Sequence, residues 1–367
     1  MKKNPKVALV YDRINKFGGA ERVLQTLSKI YPEAPIYTLV HNPKTSTWTG
    51  NTKIIPTFFN KLKWLRTRHQ ILAPFSALAF ETFDLSEYDV IISITSESAK
   101  AVITKPNQLH VCYCLTPTRY LWGNFKEYPI PKFIKKYFQF ADKIYATRPD
   151  KYIAISKEVK KRIKKYYRQD SQIIYPAIDY KFWSKPTGPD PVGESYYLLV
   201  SRLEPYKKVD LAIDAFNHLQ GFSLKVVGIG SQEAYLKSMA KSNIKFLGHV
   251  DDIKLRNLYA NARALIFPQI EDFGLTPAEA QATGTPVIAL NKAGTRETVI
   301  NKKTGILFSH QTTSSLIQAI KLFESGKHDI NKHNCQTNAG KFDQDIFIKN
   351  FKNKIKDLWQ KHQKTFM

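Results

Sequence analysis

The stretch RALIFPQIEDFGLTPAEAQATGTPVIAL, residues 263–290, decides the fold class. RALIFP (263–268) is a short apolar run, IEDFG is an acidic loop with a glycine, and PVIAL (286–290) is a second apolar run after an alanine-rich helical segment. Neither run alternates apolar with polar residues, so each suits a strand covered on both faces, as in a parallel sheet. Strand, helix and strand in that order make a βαβ unit. Thr276-Pro277 reads as an N-cap and first-turn pair, with Glu279 completing a Thr-x-x-Glu capping box.

The same pattern extends outward. YYLLVSR (196–202), SLKVVGIG (223–230) and IKFLG (244–248) read as further strands upstream. WSKPTGPDPVGES (183–195) is crowded with Pro, Gly and Ser and has no period, so it reads as a linker. Before it lies another array: KVALVYD (6–12), a Gly-containing loop, the amphipathic ERVLQTLSKIY (21–31), then YDVIISI (88–94), HVCYCL (110–115) and YIAIS (152–156). Two such arrays predict an α/β protein of two Rossmann-like, doubly wound domains facing across a cleft. The expected domains are residues 1–188, residues 189–345, and a terminal helix over 346–367 that packs back on the first domain.

Length and composition agree. The chain has 367 residues, about two domains at roughly 150 residues each. Hydrophobic residues make up 43% and charged residues 24%, which excludes a disordered chain or a disulfide scaffold. The three cysteines, Cys112, Cys114 and Cys335, form no CxxC and read as buried thiols. No stretch approaches the ~18 apolar residues of a membrane span. The start, MKKNPKVALVYDR, has too short an apolar run for a secretory leader. The expectation is therefore a cytoplasmic protein.

The net charge is +25, and residues 1–190 hold 32 of the 56 basic groups but only 15 of the 31 acidic ones. Here bases mix with aromatics, in TFFNKLKWLRTRH (57–69) and PKFIKKYFQF (131–140). That mixture fits an interfacial patch on an anionic membrane. Solvated lysine faces and a nucleic-acid-binding module are the alternatives, but no nucleic-acid reader motif is present.

Three segments carry chemistry. In 270–289 the capping box accounts for Glu279 alone; Glu271 and Gly274 lie in a loop before a helix N-terminus, which suits a polar ligand. In SRLEPYKKVDLAI (201–213), Arg202 ends a strand and Lys207 and Lys208 follow, a fork and a point charge suited to a diphosphate. In DRINKFGGAERVL (12–24), Gly18 and Gly19 separate a strand from a helix and permit close backbone approach to a ligand. Gly228 and Gly230 lack the third glycine of a dinucleotide fingerprint, because Glu233 stands there. Asp343-Gln-Asp345 opens the terminal helix, where carboxylates favour the helix dipole, and is not read as a metal site. His69, His110 and His249 are isolated.

Together these residues resemble a retaining glycosyltransferase of family 4, which has the GT-B fold. The resemblance rests on Gly18-Gly19, Arg202 and Lys207 five apart, Gly228 and Gly230, and Glu271 and Glu279 flanking DFGLTPA with GTPVIA after them. CYCLTPTRYLW (112–122) is similar to a subgroup that builds bacterial polysaccharides and O-antigens, often as mannosyltransferases. The resemblance implies that Arg202 and Lys207 hold the donor diphosphate and that Glu271 holds sugar hydroxyls, so these three are the expected catalytic set. Gly18, Gly19, Gly228, Gly230, His249, Val250, Phe273, Gly274, Leu275 and Glu279 are the expected donor-binding set, with Glu279 on the ribose. It further implies transfer of a hexose to a lipid-linked or glycan acceptor at the inner face of the cytoplasmic membrane. Mannose from GDP-mannose is the first expectation and a UDP-sugar the alternative. No metal and no cofactor are expected, and no nucleic acid partner. Relatives often have histidine where Leu115 stands; leucine cannot hydrogen-bond a sugar, so Leu115 is left out of the site.

Overall fold

The computed structural model describes residues 5–123, 131–185, 188 and 195–366. The chain forms two compact units, residues 1–176 with 347–367, and residues 177–346. The unit boundary thus falls about a dozen residues before the expected break at 188/189. The reason is local: Trp183, on the short helix Tyr180–Trp183, is buried against Tyr259 of the second unit, ring centroids 5.6 Å apart. Residues 186–187 and 189–194 of the expected linker lie outside the described residues.

The first unit is a seven-stranded parallel sheet. Its strands are β1 (Val7–Tyr11), β2 (Ile36–Thr38), β3 (Ile54–Pro56), β4 (Val90–Thr95), β5 (Leu109–Cys114), β6 (Lys151–Ala154) and β7 (Ser171–Ile173). Their order is β3-β2-β1-β4-β5-β6-β7. The central strands β1, β4 and β5 are buried at every residue, as uninterrupted apolar runs require. The terminal helix Gln344–Thr365 contributes Phe347 and Phe351, whose rings meet Tyr113 of β5 at 6.0 and 5.6 Å.

The second unit has six parallel strands, β8 (Tyr196–Val200), β9 (Ser223–Val227), β10 (Ile244–Gly248), β11 (Leu265–Phe267), β12 (Val287–Leu290) and β13 (Gly305–Phe308). The order β10-β9-β8-β11-β12-β13 is the doubly wound arrangement. Its order reverses between β8 and β11, and ligands of such sheets bind beyond the carboxyl ends of the strands at that point. Among the described residues no helix is long and apolar enough to cross a membrane.

Two buried polar clusters stiffen the first unit. Asp12, just past β1, accepts hydrogen bonds from Thr95 Oγ1 and from the backbone N–H of Ser96, Ser98 and Ala99, at 2.7, 2.7, 3.0 and 2.9 Å. Burial and the nearby Glu97 nevertheless raise its pKa. Lys100 is 1% exposed and faces Asp142 at 2.7 Å. Asp142 also accepts from Thr118 Oγ1 (2.8 Å), Trp122 Nε1 (2.6 Å) and Tyr167 OH (2.9 Å). Burial opposes the Lys100 charge, but Asp142 outweighs it and the pKa is raised.

Asp142→Ala strands a buried ammonium and should cost the first unit about 3–5 kcal/mol, read as an earlier urea transition. Burial and Arg148 push His110 down to about 3, and burial with Arg13 and Lys16 does the same to His69. Each ring stays neutral in the fold but gains a proton in the unfolded chain below its ordinary pKa of about 6.5. The unfolded state then binds more protons, so stability should fall as pH drops from about 6.5 toward 3. His110→Gln should flatten that slope in pH-dependent melts.

Candidate functional site

The loops leaving the carboxyl ends of β8 to β12 interlock. After β8, the N–H of Leu203 donates to Ile229 O and the N–H of Gln232 to Leu203 O, at 3.0 and 2.9 Å. The N–H of Gly228 donates to Gly248 O at 2.8 Å. Gly228 has φ +133°, and a Cβ there would lie 1.8 Å from Ser201 O. A Cβ on Gly230 would lie 2.4 Å from Leu203 O. Both glycines therefore let the loop after β9 press against the one that carries Arg202. On the other side of β8, Gly294 donates its N–H to Glu271 O at 2.9 Å, in the loop after β11.

This interlocking brings the expected charged residues together. Lys207 is only 9% exposed, and its ammonium donates to Glu271 Oε1. The two come from the loops after β8 and β11, the adjacent strands where the sheet order reverses. Arg202 stays exposed and donates from Nη2 to Tyr206 OH. The Tyr206 ring lies 5.0 Å from Lys207 Nζ and 5.8 Å from Arg202 Cζ. A ring between two cations holds both by cation–π attraction. Tyr206 thus joins the candidate site, though the sequence alone does not single it out; its one available signal is a tyrosine between Arg202 and Lys207 in SRLEPYKK.

The helix after Glu271 starts two residues earlier than expected. It runs from Leu275 to Thr283 with Gly274 as N-cap at φ +95°, and no side chain caps it. Thr276 is inside the first turn, so the expected Thr276–Glu279 capping box does not form. The left-handed Gly274 lets the chain turn directly into the helix, taking over the role assigned to Thr276. Glu279 is buried on this helix. Phe273 is buried against Phe342, ring centroids 5.1 Å apart, so its side chain anchors the loop rather than lining an open surface. His249 is exposed and Val250 buried after β10, where Gly248 takes φ +66°.

Gly18 and Gly19 belong to the first unit. Gly18 is the extended N-cap of the helix Gly19–Ile30, and a Cβ on it would lie 3.2 Å from Glu21 Oε2. Glu21 is buried and accepts from Tyr11 OH at 2.6 Å. Leu115 is buried as well. Asp345 pairs with Lys181 at 2.7 Å, and among the described residues no cluster of three His, Cys, Asp or Glu side chains could hold a metal ion.

The solved structure of Anabaena Alr3699/HepE in complex with UDP and glucose superposes with a TM-score of 0.71 at 20% identity, covering 96% of this chain and 99% of that one. The fold is therefore GT-B. Residues 184–342 match the family model described as "Glycosyl transferases group 1", so the second unit carries a glycosyl transferases group 1 domain. "Glycogen synthase" of Mycobacterium tuberculosis is 33% identical over 159 residues, 41% of this chain and 38% of that protein. "O-antigen chain mannosyltransferase RfbU" of Salmonella typhimurium is 29% identical over 172 residues, 44% of this chain and 48% of that protein. The chain thus spans less than half the length of these two relatives.

Gly228→Ala tests the loop packing. The added methyl group meets the Ser201 carbonyl and an unfavourable backbone angle together. The variant should melt earlier than wild type, with a loss of about 1–3 kcal/mol, the cost of a strained backbone angle in a closely packed loop.

Proposed function

We propose that this chain is a retaining, metal-independent glycosyltransferase that moves a hexose from a nucleoside diphosphate sugar to a lipid-linked or glycan acceptor. The observation that carries the reading is the Lys207–Glu271 pair at the reversal between β8 and β11, with Arg202 and Tyr206 beside it. An ammonium and a guanidinium five residues apart on one loop suit the two phosphates of a diphosphate leaving group. Glu271 suits sugar hydroxyls, since a carboxylate accepts hydrogen bonds through both oxygens. Glu279 is assigned to the ribose, and Gly274 and Leu275 offer backbone N–H groups at a helix N-terminus.

In this reaction the bond from the sugar C1 to the phosphate oxygen breaks and the acceptor hydroxyl bonds to C1 on the same face. The acceptor proton passes to the departing phosphate. Arg202 and Lys207 stabilise the negative charge that grows on the leaving group, the task a divalent cation performs elsewhere. GDP-mannose is the preferred donor, supported by the mannosyltransferase among the relatives. A UDP-sugar is the second reading, favoured by the UDP and glucose complex of the GT-B neighbour. Placement on the inner face of the cytoplasmic membrane goes with a lipid-linked acceptor.

Three measurements test this. A panel of nucleotide sugars should raise the melting temperature for one base and sugar, as a ligand at 100 Kd adds about 2.7 kcal/mol. Transfer with that donor should persist in EDTA and yield the donor's own anomeric configuration by NMR. Lys207→Ala and Glu271→Ala should each cut kcat about 10²–10³-fold, equivalent to ~2.7–4 kcal/mol of lost transition-state stabilisation. Normal turnover in either variant removes the site assignment. Tyr206→Phe keeps the ring and loses the Arg202 contact, so it should lower kcat less than Tyr206→Ala does.

A further inference from the structure

The helix Lys132–Tyr145 of the first unit has an apolar stripe that the fold leaves uncovered. Phe133, Tyr137, Phe140 and Ile144 recur at intervals of four, three and four, and so lie on one face. Phe133, Tyr137 and Phe140 are 74%, 69% and 65% exposed. Lys132, Lys136 and Lys143, all exposed, run along one flank of the stripe. The helix has a single acid, Asp142, on the opposite side, where Lys100 neutralises it inside the unit. The outward face therefore presents aromatic and aliphatic groups with positive charge alone.

A second exposed set adjoins it. Phe58, Leu62, Trp64, Phe75 and Leu78 project from residues 58–78 among Lys61, Lys63 and Arg68. Leu65 and Leu72 of this segment, and Phe80 just beyond it, share one buried cluster, against which Tyr145, the last residue of the helix, also packs. Arg148, just beyond that helix, pairs with Glu81 at 2.5 Å and ties the two segments further.

We propose that this face of the first unit docks on an anionic lipid bilayer. The stripe enters the boundary between headgroups and acyl chains, and the lysines meet the lipid phosphates. A second copy of the chain would set one lysine row against another. A nucleic acid would satisfy the lysines but leave the aromatic stripe in water. The inference rests on the membrane placement proposed above and names its surface and lipid class; it is tested apart from sugar transfer, because vesicle binding needs no donor.

The test is flotation of the full chain with vesicles of phosphatidylcholine alone or with phosphatidylglycerol added. The anionic vesicles should carry the protein and the neutral ones far less, with added salt weakening the binding. Each cation near such a surface is worth about five-fold, so Lys132→Gln with Lys136→Gln should lower partitioning about twenty-five-fold. Phe133→Ser with Phe140→Ser should abolish it while leaving the melting temperature unchanged, since both rings are exposed. Equal binding to the two vesicle types, or wild-type binding by the serine variant, overturns the proposal. So does a dimer in sedimentation that the serine variant loses, or salt-sensitive duplex binding that the lysine variant loses, if neither is accompanied by vesicle binding.

Discussion

A lysine sheltered from water has to be matched by an anion, and the second unit is arranged around one such match. Lys207 and Glu271 come from loops after β8 and β11, far apart in sequence but adjacent in the sheet. The pairing is possible only because the strand order reverses there. Gly228 and Gly230 allow the β9 loop to support the β8 loop, and Gly294 holds the backbone of Glu271 from the β12 side. A shielded ion pair is seldom a net source of stability, because desolvation offsets its Coulomb attraction. Under the function proposed above, its place beyond the carboxyl ends of the strands keeps a positive charge ready for an anion.

The first unit uses the equivalent place differently. There β1 and β4 are the neighbours at the reversal, and Asp12 bridges their ends through four hydrogen bonds from residues 95–99. That carboxylate is buried and saturated by its own chain. The same topology thus supports a closed structural joint in one unit and, in the other, a cation–carboxylate pair flanked by an exposed arginine. The Lys100–Asp142 cluster adds a second joint, which holds Thr118 and Trp122 of the CYCLTPTRYLW segment.

Much of the fold was legible because burial on both faces leaves continuous apolar runs. All nine strands read from the sequence are present. Those missed, β2, β3, β7 and β13, are short and each carries or follows a residue that interrupts an apolar run: Pro35 before β2, Pro56 in β3, Ser171 and Gln172 in β7, Gly305 in β13. The helix at 275–283 was legible but its cap was not: Thr276 has the right residue type, yet Gly274 in a left-handed conformation starts the helix first. Lys207 and Glu271 stood out as charges in glycine-containing or strand-end loops. Tyr206 did not, because an aromatic between two cations becomes meaningful only once the loop has folded and placed its ring. Phe273 shows the converse, a residue within the motif whose side chain is spent on packing.

The most direct measurement is a calorimetric titration of the full chain with GDP and with UDP, in wild type and in Lys207→Met. If Lys207 is an anion receptor held in place by Glu271, one of the two nucleotides binds wild type without added metal. Lys207→Met then weakens that binding about ten-fold or more, the value of one charge-assisted hydrogen bond. Equal affinity in the two proteins would contradict the account, and would return the Lys207–Glu271 pair to a purely structural role.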